Sequence, residues 1–96
     1  MTPLEFDANV TIDESTGAVL AVYFQIRRGK VHETREFSDG AAFADYNRNG
    51  ELLGIELLSQ CRATIVDKLA PHESVVLRQR MKAFVRRAGP REIVAA

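Results

Sequence analysis

Between Ala18 and Arg27 the chain carries a strand-length segment that is apolar on both faces for most of its length. One face presents Ala18, Leu20, Val22, Phe24 and Ile26, and the other presents Val19, Ala21 and Tyr23 before turning polar at Gln25 and Arg27. Such a strand needs cover on both sides. A chain of 96 residues with one good amphipathic helix can cover one of them, so the second face is expected to pack against another copy of the chain. A homodimer is therefore the expected assembly.

Around this strand the punctuation is regular. Phe6 to Ile12 reads as a first strand, ended by the turn composition Asp13-Glu14-Ser15-Thr16-Gly17. Arg28-Gly29 is expected to turn the core strand in a tight hairpin into Lys30 to Phe37, whose His32, Glu33, Thr34, Arg35 and Glu36 suit an edge or solvent-facing strand. Ser38-Asp39-Gly40 turns the chain into Ala41 to Tyr46. After Asn49-Gly50 a last strand runs from about Glu51 to Leu58, with Leu53, Ile55 and Leu57 expected on one face and Leu52, Glu56 and Leu58 on the other.

Beyond Ser59 the period changes. Ile65, Val66 and Leu69 suggest a short helical turn that stops before Pro71. From about His72 to Ala88 a longer helix places Leu77, Met81, Phe84 and Ala88 on one stripe with Val85 beside it, and Gly89-Pro90 stops it. The expected fold is α+β: an antiparallel β-meander of four to five strands in residues 1–60, with residues 61–96 a helical C-terminal extension packed on it within one domain.

Asp45-Tyr46-Asn47-Arg48-Asn49-Gly50-Glu51 through Glu56 satisfies the D-x-[DN]-x-[DN]-G-x5-E calcium-loop pattern. An EF-hand needs a helix on each side to aim its ligands, and neither flank supplies one. The segment is read instead as a hairpin turned at Asn49-Gly50, with Asp45 and Asn47 bonding within the turn and Glu56 a strand carboxylate. No metal and no cofactor are expected.

The same stretch carries a resemblance. A two-faced apolar strand, a Gly-Lys-Val turn, a charged Glu-Thr-Arg-Glu strand and then Ala-Asp-Tyr-Asn-x-x-Gly-x-x-x-Gly-Ile-Glu-Leu-Leu resembles the domain of unknown function 2283 family of bacteria and archaea, over roughly Val10 to Ser59. Family members typically show Asp-Tyr-Asp where this chain has Asp45-Tyr46-Asn47. The resemblance implies an antiparallel β-rich domain with no assigned activity, and some members resemble the antitoxin partner of toxin pairs. Residues 71–88 lie outside the family pattern.

Charge is uneven although the total is zero: residues 1–60 carry ten acids and five bases, and residues 61–96 three acids and eight bases. Arg78, Lys82 and Arg86 recur at spacing four as one ridge of the long helix, with Arg80 and Arg87 beside the apolar stripe. Such a ridge could neutralise phosphates or meet an acidic partner protein, and it is equally what a helix docked on an acidic sheet looks like. His32 and His72 are read as surface residues, and Cys61 as a small hydrophobe at the junction of sheet and helix. No phosphate loop, paired-cysteine, HExxH or GxSxG motif occurs, so no catalytic residue is assigned. With one cysteine, no basic and apolar leader pattern at Met1 to Asp7 and no apolar run near the roughly 20 residues of a membrane span, a cytoplasmic protein off the membrane is expected. The expected function is a non-enzymatic, homodimeric interaction module, and the alternative is an antitoxin-like regulator whose basic helix contacts nucleic acid or an acidic protein.

Overall fold

The two most apolar strands of the chain pair with each other at the centre of one sheet. The computed structural model describes residues 5–58 and 62–88. Five strands, β1 (Asp7–Ile12), β2 (Val19–Gln25), β3 (Glu33–Phe37), β4 (Ala42–Tyr46) and β5 (Leu52–Leu58), precede two helices, α1 (Ile65–Leu69) and α2 (Val75–Ala88). The sheet is antiparallel throughout, in the order β1-β2-β5-β4-β3. The α+β class and the C-terminal helix are those expected, but the strand order is not that of a sequential meander. β5 lies between β2 and β4, and Arg28-Gly29 opens a connection to the far edge instead of a hairpin. Pairing β2 with β5 satisfies both backbones of the apolar strands inside the sheet and leaves β1 and the charged β3 at its edges.

Local chemistry sets each turn. Asp13 accepts from the Ser15 N–H at 2.8 Å and the Ser15 hydroxyl at 2.7 Å, bonds that hold its carboxyl below the ordinary aspartate range. Ser38 and Asp39 both adopt left-handed φ, 53° and 55°, the pair of conformations that matches the twist of a tight hairpin between β3 and β4. Asn47 Oδ1 accepts from the N–H groups of Asn49 and Glu51, both at 2.9 Å, and Gly50 supplies φ 79°.

Cross-strand partners share a face, which locates the core. Val22 pairs with Leu57 and Phe24 with Ile55; Ala42 and Ala44 pair with the same β5 residues from the other side. All six are fully buried, packed against Val66 and Leu69 of α1 and Leu77, Met81 and Val85 of α2. Each large side chain so buried contributes about 1.5–3 kcal/mol of transfer free energy. Phe24 also meets Phe6 and Phe84 edge-on, at centroid distances of 5.0 and 5.7 Å.

Three further expectations need correction. A register shift at Tyr46, which pairs with Leu52, brings Leu52 into the helix-side cluster, whereas Leu53 is buried outside it. Leu53 lies instead against Gly29, where an added Cβ would come within 3.0 Å of its Cδ2. The long helix begins at Val75, later than expected, because the Ser74 hydroxyl accepts from the Leu77 N–H at 3.1 Å and caps it. On the second face of β2, Ala21 is buried and Tyr23 half-buried within the chain itself, so that face offers little apolar surface to a second copy. The stop at Gly89-Pro90 lies outside the described residues.

Candidate interaction surfaces

The calcium-like stretch is a β-hairpin whose polar atoms bond within the chain. Asp45 sits on β4 on the face opposite the helices, its Oδ2 accepting from the Tyr23 hydroxyl at 2.9 Å and its Oδ1 from the Thr34 hydroxyl at 2.6 Å. The first bond crosses β5 at Gly54, where a Cβ would fall on the Tyr23 ring. Burial first, and then the Asp45 carboxylate, push the Tyr23 hydroxyl up to about 12. Asn47 Nδ2 donates to Glu51 Oε1 at 3.0 Å. The Asp-Tyr and Gly-Ile-Glu halves of the motif thus meet as a packing device around a bare glycine. Among the described residues no group of three or more His, Cys, Asp or Glu is placed to hold a metal ion.

The basic ridge of α2 is partly engaged. Arg78 Nη1 reaches Asp67 Oδ1 at 3.2 Å and Lys82 Nζ reaches Asp67 Oδ2 at 2.9 Å, so one carboxylate of α1 holds two of the five cations singled out by sequence. The acid that meets Arg78 and Lys82 belongs to α1, not to the sheet. Arg80, Arg86 and Arg87 are exposed on α2. On the far face of the sheet the strand register gathers Asp7, Glu36, Asp45 and Glu56, and no Lys or Arg of the five strands shares that face. A polyanion meets repulsion there.

One ion pair escaped the sequence reading. Arg27, just past β2, binds Glu73 through both guanidinium nitrogens at 3.1 and 2.9 Å and donates to the Leu52 carbonyl at 2.8 Å. Glu73 is only 7% exposed, the one buried charged residue described. The partners are far apart in sequence and no local pattern links them. His32 and His72 are exposed, as a surface reading expects, and Cys61 lies outside the described residues.

The two sheet edges differ in kind. β3 presents Glu33, Arg35 and Glu36, with Arg35 bonded to Glu33 at 3.0 Å and lying 4.6 Å from the centre of the Tyr46 ring. Those contacts hold Glu33 below and Arg35 above their ordinary ranges. Charges of this kind blunt an edge against strand addition. β1 has no such guard between Ala8 and Ile12: it reads Ala-Asn-Val-Thr-Ile, with neither a charge nor a proline. Beside it Val10 is 37%, Leu20 47% and Ile12 54% exposed, three of the large apolar side chains left in solvent.

Among the described residues no helix is long and apolar enough to cross a membrane. No protein-family model matches the chain, and neither a curated protein nor a solved structure matches it, so the resemblance to the domain of unknown function 2283 family stays a likeness of residues from which no activity is carried over.

Proposed function

We propose that the chain is a non-enzymatic interaction module whose working unit is a homodimer joined along β1. The unguarded β1 edge, flanked by exposed Val10, Ile12 and Leu20, is the observation that carries this reading. A free strand edge is a row of unpaired backbone donors and acceptors, and a second β1 supplies a matching row.

The sequence of β1 favours itself as the partner. Antiparallel pairing brings residues of one face together, so a two-fold axis must pass at a residue and not between two. An axis at Val10 would set the strand residue Asp7 against Asp13 of the second copy. An axis at Asn9 removes that contact and leaves the nearest like-charge pair, Glu5 with Asp13, outside the strand: Ala8 meets Val10, Asp7 meets Thr11, and exposed Ile12 meets Phe6. The two sheets then continue as one of ten strands. So short an interface belongs to the weak class, with dissociation in the micromolar range.

The regulator reading, in which the basic helix contacts nucleic acid, gains no support from Arg78 and Lys82, which already face Asp67. Light scattering behind size exclusion at about 100 μM, well above a micromolar dissociation constant, tests the dimer. Twice the monomer mass is expected, with Val10→Lys reverting to monomer at unchanged circular dichroism. A monomeric parent chain would remove the proposal.

A further inference from the structure

Both helices pack on one side of the sheet, α1 over β4 and α2 over β2, and among the described residues no element covers the other side. Across that open face the register builds a ladder in which acid and aromatic alternate from strand to strand. Glu36 on β3 pairs with Phe43 on β4, Phe43 with Glu56 on β5, and Glu56 with Tyr23 on β2. Cross-strand partners share a face, and this row is offset by one residue from the buried row of Ala42, Leu57 and Val22, so it points away from the helices. Glu36 is exposed, and Phe43, Glu56 and Tyr23 are half-buried. Phe43 is not among the described side chains packed on the core.

The charge of this face has one sign. Neither Glu36 nor Glu56 makes an ion pair among the described residues, and no strand cation stands beside them. Neighbouring strands lie about 4.8 Å apart, so the two carboxylates stand about 10 Å apart with the Phe43 ring between them. The chain itself shows what such a pairing holds. On the helix side Glu33 pairs with Tyr46 in the same β3–β4 register, and Arg35 completes that pair, bonded to Glu33 at 3.0 Å and 4.6 Å from the centre of the Tyr46 ring. Glu36 and Phe43 repeat the acid and the ring without the guanidinium. A guanidinium is planar and weakly hydrated, stacks on an aromatic face and offers paired donors to a carboxylate, whereas an ammonium brings only a compact charge. We propose that the open face of the sheet docks an arginine-rich segment of a partner protein, its guanidinium groups lying on Phe43 and bonding Glu36 and Glu56.

The ladder is complete within one copy and lies on a face, not an edge, so this proposal does not rest on pairing through β1. The test is a heteronuclear NMR titration of the full chain with hexa-arginine and with hexa-lysine, both blocked at their ends. Saturable shifts at Tyr23, Phe43 and Glu56 are expected with the arginine peptide, and about threefold or more weaker binding with the lysine peptide. A Glu36→Gln, Glu56→Gln double variant should bind hexa-arginine about tenfold or more weakly, the effect of losing charge-assisted contacts. A Glu14→Gln, Glu51→Gln variant makes the same change of net charge at exposed positions outside the strands, and its affinity should stay within about twofold of the parent. All four substitutions keep the size of the side chain, so both variants are expected to retain the parent spectrum. Absence of saturable shifts with hexa-arginine would overturn the proposal, as would equal affinity for the two peptides or an equal loss in the two double variants.

Discussion

The Tyr23 hydroxyl reaches Asp45 Oδ2 at 2.9 Å by passing over the α-carbon of Gly54, tying β2 to β4 across the intervening β5. An alanine at 54 would put its Cβ on the Tyr23 ring and 2.7 Å from the Phe24 carbonyl oxygen, and a backbone atom cannot swing aside. Gly54→Ala is expected to cost about 2 kcal/mol or more, whereas Tyr23→Phe, which keeps the ring, should cost only about 1 kcal/mol. Urea denaturation of both variants checks the order. A Gly54→Ala protein as stable as the parent would contradict this packing.

The same bond sets a pH dependence. Tyr23 titrates at about 12 in the folded chain, above the roughly 10 of an unfolded tyrosine. Between those values the unfolded chain has released a proton that the folded chain keeps, so stability falls as pH rises through this window and is undiminished by Tyr23 below it. Denaturation midpoints measured from pH 9 to 12 should decline, and Tyr23→Phe should remove the part of that decline due to this group. An identical slope in the variant would refute the assignment.

The Arg27–Glu73 pair is buried at the carboxylate end and partly exposed at the guanidinium, with side-chain exposures of 5% and 28%. Glu73→Gln is expected to destabilise by about 2 kcal/mol, less than for a wholly buried pair because water reaches Arg27. Replacing both residues by methionine should recover most of that loss, since no charge is then left behind. Additive losses in the double variant, seen by thermal denaturation, would show that the residues do not act as a pair.

Asp67 discriminates between structural and nucleic-acid roles for the helix cations. Substituting Arg78 and Lys82 by alanine is expected to lower stability by about 1 kcal/mol, as for partly exposed pairs, and to leave any affinity for duplex DNA unchanged across a salt series. A gel-shift titration in which the parent binds DNA with a steep salt slope, and the variant with a shallower one, would favour the regulator reading instead.

Much of this fold was legible because alternation and turn chemistry are local. The strands from Asp7 to Leu58, the turn at Asn49-Gly50 and the apolar stripe of Leu77 and Met81 follow from spacing alone. Strand order did not follow, because nothing near Gly29 records that β2 prefers β5 to β3. A period-two reading also cannot see an irregularity, so the shift at Tyr46 exchanged the roles of Leu52 and Leu53. Asp67 and Glu73 were invisible as partners because their cations arrive from other elements. The exposed row beside β1 likewise depends on where α1 and α2 lie, over β4 and β2, which no local pattern records.

Disulfide trapping at the proposed two-fold axis tests the homodimer most directly. In a Cys61→Ser background, Asn9→Cys would face its own copy across the paired β1 strands, within the distance a disulfide spans. Glu36→Cys on the opposite edge serves as the exposed control. At about 50 μM protein, above the dissociation constant expected, the Asn9→Cys chain should convert to a covalent dimer far faster than the control. Equal rates for the two positions would contradict assembly through β1.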